Sequence, residues 1–107
     1  MQSIRLSGFS MEGPYAIDAD DRIPITSGIY IVITKTEDSK LRGVYIASAG
    51  NLREHIHNNP RKDCWKKNEI KELSIWIHST TSKTAAEREK ILFKIREDRQ
   101  YFMPCTD

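Results

Sequence analysis

The chain is predicted to fold as an α/β (α+β) domain, a small three-stranded antiparallel sheet packed with helices. Three observations predict it. Two runs rich in β-branched and aromatic residues, at 29–34 and 44–48, flank the polar segment KTEDSKLR and read as a hairpin. A third run, LSIWIH at 73–78, alternates cleanly and supplies another strand. Between and after these strands lie two stretches with helix signals, one opening at Asn51 and one near Ser82.

Taken in order, residues 1–22 read as an N-terminal extension. Within 1–9, Ile4, Leu6 and Phe9 form a short edge strand, and 10–27 read as loop, with Gly13-Pro14, Asp18, Asp20, Asp21 and Pro24. The three aspartates lack the spacing of an EF-hand loop, so a solvated turn outweighs a metal site. In the hairpin, a side-chain period of two puts Ile29, Ile31 and Ile33 on one face, with Tyr30 and Val32 on the other. Val44 and Ile46 separate in the same way from Tyr45 and Ala47. The hydroxyls of Tyr30 and Tyr45 can therefore reach one side of the sheet.

The first helix has Asn51 as N-cap, Glu54 three residues on, Leu52 and Ile56 as its buried stripe, and Pro60 as its stop. The segment from Pro60 to Lys71 is basic around a single tryptophan. It reads equally well as a phosphate-contact patch with Trp65 as a stacking platform, or as a solvated turn anchored on the core by Trp65. In the third strand Leu73, Ile75 and Ile77 face one way, Trp76 and His78 the other, and His78 reads as a strand-end polar residue. The last helix is expected from about Ser82 to Arg99. The tail from Tyr101 to Asp107 is apolar enough to pack back on the sheet.

At 107 residues the chain is expected to be one domain, 1–107. With 38% hydrophobic and 30% charged residues it reads as soluble and globular. The net charge of +2 excludes a global electrostatic case for nucleic acid, so any such case is local. No apolar run is long enough to span a bilayer, and the first ten residues lack a signal peptide's apolar core. The expected location is cytoplasmic. There Cys64 and Cys105 are most simply free thiols, and no cysteine–histidine spacing suggests zinc.

Gly28-Ile29-Tyr30, then Tyr45-Ile46-Ala47, then Asn51-Leu52-Arg53 inside the first helix stand in a specific order. Further on come Cys64-Trp65, the glutamate-bearing segment Ala86-Glu87-Arg88-Glu89-Lys90-Ile91-Leu92, and Met103-Pro104-Cys105. Through these residues the chain, over roughly 23–107, resembles the small single-domain members of the GIY-YIG nuclease superfamily. The resemblance implies a GIY-YIG-like fold and a nucleic-acid partner, DNA before RNA. If the site is active, it implies a metal-dependent endonuclease using one Mg²⁺ or Mn²⁺ ion. Tyr30, Tyr45, His55 and Glu89 stand at its catalytic positions, Glu89 as the metal ligand.

Two glutamates compete for the metal position. Glu87 lies three residues after Thr84, where a capping box would use it. Glu89 has Ala85, Ala86, Leu92 and Phe93 at helical offsets, so it is expected to project from the apolar face and need a cation there. An internal ion pair with Arg96 or a sheet residue is the competing reading. Arg53, Arg61, Lys62, Trp65, Lys66, Lys67 and Lys71 are the candidate nucleic-acid contacts.

Three positions depart from the family pattern: Ala47 replaces its second motif glycine, His55 its arginine and Thr106 its late asparagine. A histidine can carry positive charge but lacks the bidentate fork of arginine. Arg53 cannot substitute for it, since two residues along a helix is a turn of roughly 200°. The expected activity is weak. The alternative is a catalytically inactive GIY-YIG-like binding or protein-interaction module.

Overall fold

The computed structural model describes residues 1–98 and 103–106. Its elements are β1 (Gln2–Leu6), β2 (Phe9–Tyr15), a 3₁₀ turn (Asp20–Arg22), β3 (Gly28–Lys35), β4 (Leu41–Ala49), α1 (Leu52–His57), α2 (Lys62–Lys67), β5 (Lys71–Ser79) and α3 (Ala85–Glu97). The strands form one antiparallel sheet in the order β1-β2-β5-β3-β4.

The sheet therefore has five strands, not three. The expected three lie side by side as β5-β3-β4, and the N-terminal extension adds two more. Residues 2–6 supply the expected edge strand, but 10–27 are not all loop, because β2 runs through Phe9–Tyr15 and pairs with β5 at Glu12↔Ile77 and Tyr15↔Ile75. Gly13 and Pro14, both poor strand formers, hide this strand in the sequence. Packing explains the glycine: a Cβ at position 13 would lie 2.8 Å from the Ile75 carbonyl oxygen.

β3 lies between β5 and β4 and is buried from Gly28 to Thr34. Its alternation feeds two separate cores. Tyr30 and Val32 join Leu73, Ile75 and Ile77 on a first face, under Leu52 and Ile56 of α1, Trp65 of α2 and Cys105. Ile29, Ile31 and Ile33 join Trp76 on a second face, under Ile91, Leu92 and Ile95 of α3.

The hairpin carries one correction. Val32 pairs with Tyr45, but Ile33 pairs with Gly43, so Val44 is an inserted residue, a β-bulge. Val44 consequently joins the Tyr30 cluster while Ile46 points to the opposite core. Strict alternation had placed the two together.

The caps follow the sequence closely. Asn51 accepts from the Glu54 N–H at 3.1 Å. Thr84 and Glu87 form a complete capping box at the start of α3. The segment read as a patch or turn contains the short helix α2.

The cysteines are not free thiols. Cys64 of α2 is bonded to Cys105, with Cα atoms 5.8 Å apart across a sequence separation of 41. The C-terminal segment is brought there by the outer edge of β4. The Cys105 N–H donates to the Val44 carbonyl at 2.9 Å, and the Ile46 N–H donates to Thr106 Oγ1 at 3.0 Å. Met103 packs on the second core and Cys105 in the first, so the segment wraps around that edge. The helix end expected at Arg99 and the packing expected of Tyr101, Phe102 and Asp107 fall outside the described residues. Among the described residues, no helix is long and apolar enough to cross a membrane.

Candidate active site

Tyr30 and Tyr45 do reach the same side of the sheet. Tyr30 sits opposite Ala47 and Tyr45 opposite Val32. Their ring centroids are 5.9 Å apart, and Trp65 closes the group at 6.5 Å from Tyr30 and 5.5 Å from Tyr45. Leu52 and Ile56 seat α1 on this face, which brings His55 over Tyr30 with Nδ1 2.9 Å from the hydroxyl.

Asn59 completes the network and was missed in the sequence. Its Nδ2 donates to the Tyr30 hydroxyl at 2.6 Å and to the Tyr45 hydroxyl at 3.2 Å. Its Oδ1 accepts the Arg61 N–H at 2.7 Å, which fixes the end of the amide that faces the tyrosines. The available signal was spacing: Asn59 continues the stripe of Leu52 and Ile56 past the end of the helix.

Hydrogen-bond chemistry restricts where the protons sit. The Tyr30 oxygen accepts from Asn59, so its own proton is free to bond Nδ1 of His55. His55 is itself exposed and lines a pocket of about 360 Å³ with Gly50, Asn51, Glu54 and Asn58. Tyr30 is 0% exposed. Burial first, and then the neighbouring Tyr45, push its hydroxyl far above the ordinary tyrosine range. Tyr30 keeps its proton at any neutral pH and is unsuited to act as a general base.

Glu89 is elsewhere. It was expected on the apolar face of α3, but it is exposed, with Oε1 accepting from Ser48 Oγ at 2.5 Å. Ser48 lies opposite Ile29, whose side chain belongs to the second core. Glu89 is thus on the other side of the sheet from Tyr30, Tyr45 and His55. The helical offsets were right, since Glu89 shares its side with Phe93, but Phe93 is 64% exposed. The buried stripe of α3 is Ile91, Leu92 and Ile95, centred roughly 110° around the helix from Glu89 with Leu92 at its near edge.

A divalent ion at Glu89 would have one protein carboxylate and would draw its remaining ligands from water or substrate oxygens. Among the described residues no three His, Cys, Asp or Glu side chains are grouped to hold a metal. The donor set does not fit a metal centre facing His55.

The candidate nucleic-acid contacts divide. Trp65 is 0% exposed, which corrects its reading as a stacking platform: it anchors the core, and no base can reach its face. Arg53 Nε donates to the Ile23 carbonyl at 2.7 Å, tying α1 to the preceding loop. Lys62 donates to the His57 carbonyl and Lys71 to the Glu37 carbonyl. Arg61 is half-buried, whereas Lys66 and Lys67 are exposed at the end of α2.

The motif glycine Gly28 has a packing role. A Cβ there would meet the His78 carbonyl oxygen at 2.5 Å and Leu52 Cδ1 at 2.9 Å. Thr106, at the departed asparagine position, holds the β4 edge instead. Compared with protein-family models, curated proteins and solved structures, the chain matches none.

Proposed function

We propose that the chain is a GIY-YIG-like domain that binds nucleic acid without hydrolysing it at an appreciable rate. The observation that carries the loss of hydrolysis is the closed setting of Tyr30, whose hydroxyl is engaged by His55 and Asn59 beneath Trp65. The placement of Glu89 beyond the sheet supports the same reading, because metal and tyrosine would not face one phosphate. Lys66 and Lys67, beside Arg61 and Lys62, are the groups best placed to meet phosphates.

The test is fluorescence anisotropy on labelled single-stranded DNA, duplex DNA and RNA, over a salt series, with cleavage assayed in Mg²⁺ and in Mn²⁺. Salt-dependent binding without cleavage is expected. Reversing Lys66 and Lys67 to glutamate should weaken binding across sequences and lower the salt slope by about one per lost contact. Cleavage that disappears in Tyr30→Phe or Glu89→Gln would overturn the reading.

A second reading, a protein-interaction module, is favoured by one observation. Phe93 stands 64% exposed on α3 and, with Lys90 and Arg96, lines a groove of about 390 Å³. Absence of salt-dependent binding to every nucleic acid tested would move the assignment there.

A further inference from the structure

The Cys64–Cys105 bridge joins α2 to the segment 103–106. α2 is six residues long with no side-chain cap at its N-terminus, well below the length at which a helix sustains itself. The segment 103–106 is tied to β4 by the Cys105 N–H to Val44 and the Ile46 N–H to Thr106. The two residues differ in exposure, Cys64 being half-buried and Cys105 2% exposed. Asn68 Nδ2 lies 3.5 Å from both, placed to donate to a thiolate on either side.

We infer that this bridge is a redox latch: a dithiol reductant opens it, releases 103–106 from the edge of β4 and unseats Trp65, while the sheet and the second core remain folded. A thiolate of the dithiol attacks Sγ of Cys64, the more exposed residue, and Cys105 leaves as a thiolate held by Asn68. The second thiol of the reductant then displaces Cys64, so two electrons pass to the protein. The two thiol protons end on Cys64 and Cys105, and the reductant departs as its own disulfide. Trp65 follows Cys64 directly in α2 and packs against both tyrosines. Loosening α2 therefore uncovers the cluster that encloses Tyr30.

The latch does not depend on any ligand, so it is tested on the protein alone. Amide exchange is followed by NMR at Ile46 and Cys105, with Ile31 of β3 as reference, before and after reduction to two titrated thiols. The latch predicts exchange at least tenfold faster at Ile46 and Cys105, with Ile31 unchanged. In a Trp76→Phe background, Trp65 emission should shift to the red on reduction. Cys105→Ser should reproduce both changes in oxidising buffer. Three results would overturn the inference. Ile46 and Cys105 could stay protected in the fully reduced protein. Ile31 could speed up by the same factor, which would make the bridge a staple of the whole fold. The bridge could also resist excess dithiol under native conditions.

Discussion

The two faces of the sheet share the buried strand β3, yet they differ in kind. The second face, under α3, is mainly aliphatic and meets one long helix with a plain buried stripe. The first face is covered by two short helices and a C-terminal segment. At its centre it holds tyrosines, a tryptophan and a buried asparagine. A face closed by such small pieces needs directional bonds and a covalent tie, because each piece buries too little apolar surface to hold itself. The polar groups that resemble catalytic residues are, in this structure, also the groups that hold that face shut.

The largest effects separate the faces by stability. Trp65→Ala should cost about 3–5 kcal/mol by chemical denaturation and should dissolve the Tyr30–His55 contact, read as a change in the His55 ring nitrogen shifts. Ile95→Ala on the other face should cost about 2–5 kcal/mol and leave those shifts in place. If Ile95→Ala moves them as far as Trp65→Ala does, the two faces are one cooperative unit and the contrast fails.

Tyr30→Phe comes next and sharpens the comparison through pH. It removes one hydroxyl and takes from Asn59 the shorter of its two hydroxyl acceptors, at a cost of about 1–3 kcal/mol. Because burial raises the folded-state pKa of Tyr30, its contribution is whole below the ordinary tyrosine value of about 10 and is lost as pH climbs beyond it. The parent should therefore weaken steeply in alkali, and Tyr30→Phe should flatten that limb. Tyr15, also raised by burial, should leave a residual slope. An unchanged alkaline limb would show that Tyr30 is not enclosed.

His55→Arg should cost about 1 kcal/mol, since it removes the Nδ1 contact with the Tyr30 hydroxyl. It supplies the cation that the GIY-YIG resemblance would place there but not hydrolysis, because Glu89 still lies beyond the sheet. Recovered cleavage in Mg²⁺ would break the separation of the faces. The smallest effect belongs to Glu87, whose carboxyl is held below the usual range by the Thr84 backbone and side chain. Its cap is whole above the ordinary glutamate value and is lost as pH falls through the lowered one. Glu87→Gln should remove that acid-dependent change in the Thr84 amide shift while leaving the rest of the spectrum unchanged.

Local patterns in the chain determined much of this. Alternation placed Tyr30 and Tyr45 on one face, the Asn51 and Thr84 caps opened their helices, and Leu52 with Ile56 turned α1 onto the sheet. Each of these depends on neighbours a few residues away, so it is written locally. The tertiary structure decided the rest. β2 is concealed by Gly13 and Pro14, and only the close approach of β5 makes a glycine useful there. The bulge at Val44 exists because two strands must settle a register together, which neither encodes alone. The free-thiol reading of Cys64 and Cys105 failed because the return of the tail to β4 depends on contacts 41 or more residues apart. The misplacement of Glu89 has the same root. Helical offsets tell which residues share a side with Phe93, but only docking of α3 through Ile91, Leu92 and Ile95 decides that this side meets solvent.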